Sequence, residues 1–329
     1  MARTPFLAAL LTAASVSISA LTASPASAAS APEGTLQIAL EIHVENSDDP
    51  AAELETVSRM AAAASAHDIQ LTFSLDETML EYLATAPPVV VNTVRVIERM
   101  GHQFGLHADL AGMGQRAATL HLAEMQADYR TIFGHVGLTL SGACTQSGDW
   151  IAAANANDIW TVAGVVTYCE RSLSTEAYAG TAYESEIATA KSVCTRPSVA
   201  ICHDPAPQAD EARRVTPWRT DRALRWLDES ARARATTIVP TLGHTSMECA
   251  SEGRSSASCS FDADGDAGAF VELAVHADEL SAGAEGATLH MAWSTNNRPS
   301  AEYIADVFAA LADTISTAGP VDWVTLAEV

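Results

Sequence analysis

The stretch Leu36-Gln37-Ile38-Ala39-Leu40-Glu41-Ile42-His43-Val44-Glu45 decides the fold class. Leu36, Ile38, Leu40, Ile42 and Val44 alternate with Gln37, Ala39, Glu41, His43 and Glu45, the period of two that a β-strand imposes on its faces. Downstream, Asp48, Asp49 and Pro50 start a helix with Leu54, Val57, Met60 and Ala64 on one face. Ile69, Leu71, Phe73 and Leu75 alternate with Gln70, Thr72 and Ser74 as a second strand. Pro87-Pro88 precedes a helix marked by Val90, Val94, Ile97 and Met100; Gly101 stops it, and a short strand runs through Phe104 and Leu106. Further helices are expected at 116–133 and 150–155, and strands at 159–166, 236–241, 287–291 and 321–326. An amphipathic helix through Ile304, Val307, Phe308, Leu311 and Ile315 ends at Gly319-Pro320. Residues 169–219 are irregular and hold several prolines, which reads as a long loop over one rim. Strand–helix alternation specifies a parallel sheet, open or closed. Neither G-x-G-x-x-G nor G-x4-G-K-[ST] is present, so the nucleotide-binding open sheet has no support. The expected architecture is α/β: a closed (β/α) barrel, with its site at the carboxyl ends of the strands.

Parallel strands are usually covered on both faces, yet one face of the first carries Glu41, His43 and Glu45 in succession. Buried charges cost several kcal/mol unless they meet a ligand, a metal or each other. Two carboxylates and an imidazole at a barrel mouth can bind a divalent cation and supply a base. The bland alternative is a half-exposed strand whose polar face meets water. A second constellation, Gly101-His102-Gln103-Phe104-Gly105-Leu106-His107-Ala108-Asp109, ends a short strand. His107 and Asp109 are two apart, so both can face the lumen, while His102 at the strand start reads as structural. The third is Thr288-Leu289-His290-Met291-Ala292-Trp293, where His290 is polar amid an apolar strand and could be a general acid or a ligand.

The chain has 329 residues, with 18 Lys+Arg against 41 Asp+Glu and a formal net charge of −23. A polyanion repels phosphate backbones and anionic membrane surfaces, so neither is an expected partner. Residues 1–28 have the anatomy of a secretory signal peptide: Arg3, an apolar run from Phe6 to Leu21, then Ala26-Ser27-Ala28. No later segment is long and apolar enough to span a membrane, which leaves 29–329 as a single secreted domain. Six cysteines in an exported chain read as disulfides. Of the possible connectivities the sequential one is expected: Cys144–Cys169, Cys194–Cys202 and Cys249–Cys259. A zinc cluster is the weaker alternative, since no C-x2-C pair exists. Asp262-x-Asp264-Gly265-Asp266 resembles a calcium loop, but Leu273 stands where an EF-hand needs glutamate, so a solvated acidic loop is expected. Trp218, Arg219 and Trp293 are candidates for stacking on sugar rings, with core packing as the competing role for the aromatics.

At these three constellations the chain resembles the polysaccharide deacetylase superfamily, the NodB-like carbohydrate esterases, over most of residues 36–329. GHQFGLHAD is similar to the family's G-H-E-[IV]-G-x-H segment, LQIALEIHVEN occupies the place of its T-F-D-D strand, and ATLHMAW resembles its late L-x-H motif. WVTLAEV looks like the closing element. More faintly, the chain is similar to family 57 glycoside hydrolases. The resemblance implies a distorted (β/α) barrel of seven or eight strands and a secreted, metal-dependent hydrolase that removes acyl groups from a glycan. Departures stand beside it. The family's Asp pair is replaced by His43-Val44, with Glu45 next; the second histidine of its H-x3-H pair is Ala111; its Arg-Pro-Pro-Tyr segment falls at Ser141-Gly142-Ala143-Cys144. The implied site is therefore rearranged, with His107 and Asp109 joined by His43 or Glu45 around zinc, or nickel, cobalt or manganese. Glu45 or Glu41 would take a proton from water, and His290 would protonate the leaving group. The alternative is a catalytically silent relative that binds carbohydrate or metal.

Overall fold

In the computed structural model the 36–45 alternation becomes β1 (Leu36–Val44), followed by α1 (Pro50–Ser65), β2 (Leu71–Leu75), α2 (Glu77–Thr85), α3 (Pro88–Arg99), β3 (Gln103–His107), α4 (Gln115–Phe133), β4 (Thr139–Ser141), α5 (Trp150–Asn155) and β5 (Thr161–Val165); α2 and the three-residue β4 are additions to the expected elements. Then come α6 (Glu184–Val193), β6 (Trp218–Thr220), β7 (Thr236–Pro240), α7 (Ala263–Ser281), β8 (Thr288–Ser294), α8 (Ala301–Thr314) and β9 (Val321–Trp323). The structure describes residues 34–45, 48–145, 149–195, 200–232, 234–242, 261–295 and 298–329. The expected signal peptide and the Cys249–Cys259 pair lie outside them.

Helix starts follow from short polar side chains that satisfy otherwise orphaned backbone N–H groups, each contributing about 1 kcal/mol. Asp49 accepts from Ala52, Asp76 from Met79, Asp149 from Ala152 and Ser300 from Tyr303. Asp262 does the same for Gly265, so the expected acidic loop is instead the cap and first turn of α7. The Ala- and Gly-rich composition of α7 hides its helical period. The 169–219 segment is also more ordered than expected. It holds 3-10 turns, α6 and the edge strand β6, and it is stapled by Cys144–Cys169 and Cys194–Cys202.

The sheet runs β6-β7-β5-β4-β3-β2-β1-β8, with β9 paired to the start of β1. All neighbours are parallel except β6–β7. Strand pairing does not close the ring, but the sheet curves until its two sides meet: the Thr241 hydroxyl, just past β7, donates to the carbonyl of His290 on β8 at 3.1 Å. Leu36, Ile38, Leu40, Ile42 and Val44 of β1 belong to the large outer core with the helices. Ala39, Ala163, Val239, Val324 and Leu326 form a second, smaller core drawn from β1, β5, β7 and the closing segment. Inward residues of distant strands can converge in this way only inside a curved sheet. The fold is a distorted α/β barrel whose lumen is plugged below and polar above. Among the described residues, no helix is long and apolar enough to cross a membrane.

Candidate functional site

Strand geometry places Glu41, His43 and Glu45 on the inward face of β1, in that order toward its carboxyl end, directly above Ala39 of the inner core. The register then sets their company. His43 pairs with Ser74 of β2 and with Ser294 of β8, and Ala39 pairs with His290. On β3, His107 is the last residue and pairs with Ser141 of β4.

A continuous polar chain results. Glu41 is fully buried; its Oε1 accepts from the Ser74 hydroxyl, and its Oε2 lies 3.0 Å from His290 Nε2 and 3.4 Å from His43 Nε2. His43 Nδ1 lies 3.8 Å from Glu45 Oε1, and Glu45 Oε2 lies 2.6 Å from His107 Nε2. His107 Nδ1 is 2.9 Å from the Ser141 hydroxyl. The His43 and His107 rings stand 4.3 Å apart, centre to centre. Burial alone would raise the Glu41 carboxyl; the charge His43 carries when protonated, together with the side-chain interactions of His290 and His43, outweighs it and holds the group well below the usual carboxylate range.

One ligand atom each from His43, Glu45 and His107 falls within a mutual 4.8 Å. Two imidazoles and a carboxylate fit a zinc-type ion, and the Ser141 hydroxyl already engages the far nitrogen of the His107 ring. Glu45 is nearly buried while the His43 side chain keeps 16% exposure, so the cluster opens toward the rim on one side.

The remaining candidates lie elsewhere. Asp109 is exposed, and its Oδ1 accepts from the Ala111 N–H at 3.0 Å. The two-residue spacing holds only while a strand continues, and β3 ends at His107. His290 joins the chain of polar groups but has 0% exposure. Trp218 is buried, stacks on Trp226 and donates to its carbonyl at 2.7 Å. Trp293 is buried against Phe270 and Phe308. Arg219 alone of that trio is exposed. His102 is structural: its ring lies 2.8 Å from the Ser65 hydroxyl and accepts from the Leu71 N–H. The site residues that sequence reasoning missed are Ser74 and Ser141. The polar Thr72–Ser74 face of the second strand was the available signal for the first; Ser141 sits on a three-residue strand too short to show a period.

Gly142 follows Ser141 with φ +68°, and a Cβ there would lie 2.6 Å from the carbonyl oxygen of Ala108. Gly142→Ala is therefore expected to cost about 2–3 kcal/mol and to push apart the β3 and β4 ends that hold His107. Urea denaturation measures the loss; a cost within about 0.5 kcal/mol of zero contradicts the tight approach.

No protein-family model matches the chain, and no curated protein matches it. Solved structures do. A protein from Mycobacterium smegmatis assigned as a polysaccharide deacetylase aligns with TM-score 0.51 at 10% identity, over 93% of this chain and 92% of that one. Puue allantoinase aligns with TM-score 0.50 at 12% identity, over 90% and 91%. A family 4 carbohydrate esterase pseudoenzyme, BA3943 from Bacillus anthracis, aligns over 39% of this chain and 43% of its own, with TM-score 0.31 and 12% identity. In fold, this chain is similar over nine-tenths of its length to the solved polysaccharide deacetylase-type and allantoinase structures.

Proposed function

We propose that this chain is an exported, metal-dependent hydrolase that removes acyl groups from a glycan, with 1–28 as its signal peptide and 29–329 as one catalytic domain. The observation that carries the reading is the convergence of His43, Glu45 and His107 at the carboxyl end of a curved parallel sheet. Secretion is supported by the two disulfides and by the leader-like sequence. Zinc suits the donor set; nickel, cobalt and manganese accept the same atoms.

When bound, a divalent ion supplies Lewis acidity that polarises an acyl oxygen and makes water a better nucleophile. His43 through Nδ1, Glu45, and His107 through Nε2 would hold it. Glu41 is sealed beneath the cluster and already accepts from Ser74 and His290, which leaves Glu45 as the carboxylate placed to take the proton of the attacking water and return it to the leaving amine or alkoxide. His290, fully buried, has no face toward a substrate. Its role is inside the polar chain.

A silent relative that binds metal or carbohydrate is the second reading. Ala111 in place of the family's second histidine, and the lack of an arginine at 141–144, favour it. The test is zinc uptake by the purified protein together with acetate release from acetylated oligosaccharides. Stoichiometric zinc with zinc-dependent acetate release supports the enzyme; zinc without acetate supports the silent relative; no zinc uptake removes the metal-site reading. Asp109→Ala, which removes an exposed carboxylate bonded to the Ala111 N–H, is expected to leave zinc affinity within about 2-fold of wild type, as surface changes do. A large loss would return Asp109 to the ligand set.

A further inference from the structure

We propose that Glu41 is a positioning residue that fixes the tautomer and orientation of His43, so that Nε2 carries the proton and Nδ1 is presented to the ion. The inference deepens the metal-site reading and rests on it.

Depth is the first argument. Glu41 has no exposure, so it meets no substrate, and its oxygens are committed. Oε1 receives the Ser74 hydroxyl from β2, and Oε2 receives His290 Nε2 from β8 at 3.0 Å. The two neighbouring strands thus hold the carboxylate from both sides. Its Oε2 also stands 3.4 Å from His43 Nε2. A carboxylate held in this way accepts only, so its 3.4 Å approach favours a proton on the facing Nε2, which leaves the lone pair on Nδ1. Nδ1 is the atom that faces Glu45.

The second ring supplies the comparison. His107 is tied through the opposite nitrogen: Nδ1 meets the Ser141 hydroxyl, and Nε2 meets Glu45. Each imidazole therefore turns one nitrogen to an outer partner and the other to the cluster, and the outer partner alone decides which. His290 reinforces the point. It is fully buried, and among the described residues its Nδ1 has no hydrogen-bond partner. An orphaned buried acceptor is costly, and what the ring does with its other nitrogen is to hold Glu41.

The experiment combines two readouts on wild type, Glu41→Gln and Ser74→Ala. Histidine ¹⁵N NMR of the protein without added metal reads the His43 tautomer, and calorimetric titration with zinc chloride reads affinity. The expected wild-type tautomer is Nε2–H. Glu41→Gln is expected to lose that preference and to bind zinc about 10- to 100-fold more weakly, the cost of removing an outer partner. Ser74→Ala, which removes a support of Glu41 while leaving its charge in place, is expected to move both readouts in the same direction by less; it decides the matter if Glu41→Gln does not fold. An Nδ1–H tautomer in wild type, or unchanged tautomer and affinity in the folded variants, overturns the proposal. If wild type takes up no zinc, the metal-site reading fails, and the tautomer comparison still decides whether Glu41 orients His43.

Discussion

His107→Ala is expected to abolish stoichiometric zinc binding, lowering affinity by more than the roughly 10–100-fold that loss of an outer partner costs. The residue ends β3, and one ligand atom each from it, His43 and Glu45 lie within 4.8 Å of one another. Truncation removes a donor that water can replace but cannot hold in place. It also takes away the imidazole 2.6 Å from Glu45, whose carboxylate is almost wholly buried. Leaving a buried carboxylate without its hydrogen-bonding partner is itself destabilising, by about 1–3 kcal/mol, so zinc titration must be read beside thermal unfolding. His107→Gln, which keeps a polar group facing Glu45, separates the two effects: it is expected to recover most of the stability and little of the zinc affinity. Any acetate release should vanish in both variants. Zinc binding at wild-type strength in folded His107→Ala would remove His107 from the ligand set.

Glu170→Gln is expected to stabilise the protein at pH 8 by about 2–4 kcal/mol and to leave it nearly unchanged at pH 5. Glu170 lies in the 3-10 turn Thr167–Ser172 after β5 and is fully buried, with Glu186 of α6 facing it. Burial pushes its carboxyl up, and the charge and hydrogen bond of Glu186 push it further, to about 9 from an ordinary 4.5. Glu186 is raised as well, chiefly by burial. Burial and the opposed carboxylate thus favour the protonated form of Glu170. Between pH 4.5 and 9 the folded chain retains a proton that the unfolded chain releases. Stability from this pair is therefore present at acidic pH and declines as pH rises through that window. Glutamine does not titrate, so the substitution removes the part of the pH dependence that Glu170 contributes and leaves the smaller part due to the half-buried Glu186. Urea unfolding of both proteins at pH 5, 6.5 and 8 measures the difference. Parallel pH profiles would mean that the pair holds no proton.

The alternation in residues 36–45 was enough to place Glu41, His43 and Glu45 on one strand face, because a strand's period is fixed by backbone geometry. The strand–helix order, the barrel class and two disulfide pairings were legible for similar reasons: each depends on patterns a few residues long or on chemistry that only cysteine supplies. Asp109 marks where local reasoning stops. Its spacing from His107 is right for a shared face, but β3 ends between them and the chain turns. Trp218 and Trp293 show the same limit, since an aromatic side chain reads alike on a rim and in a core until packing assigns it.

By itself the sequence determined the candidate donors and the strands that carry them. Only the tertiary structure decided which donors meet. Sheet curvature and strand register bring Ser74, Ser141 and His290 against groups up to 249 residues away in the chain, and such distances are set by cross-strand pairing, which leaves no periodic trace in the sequence.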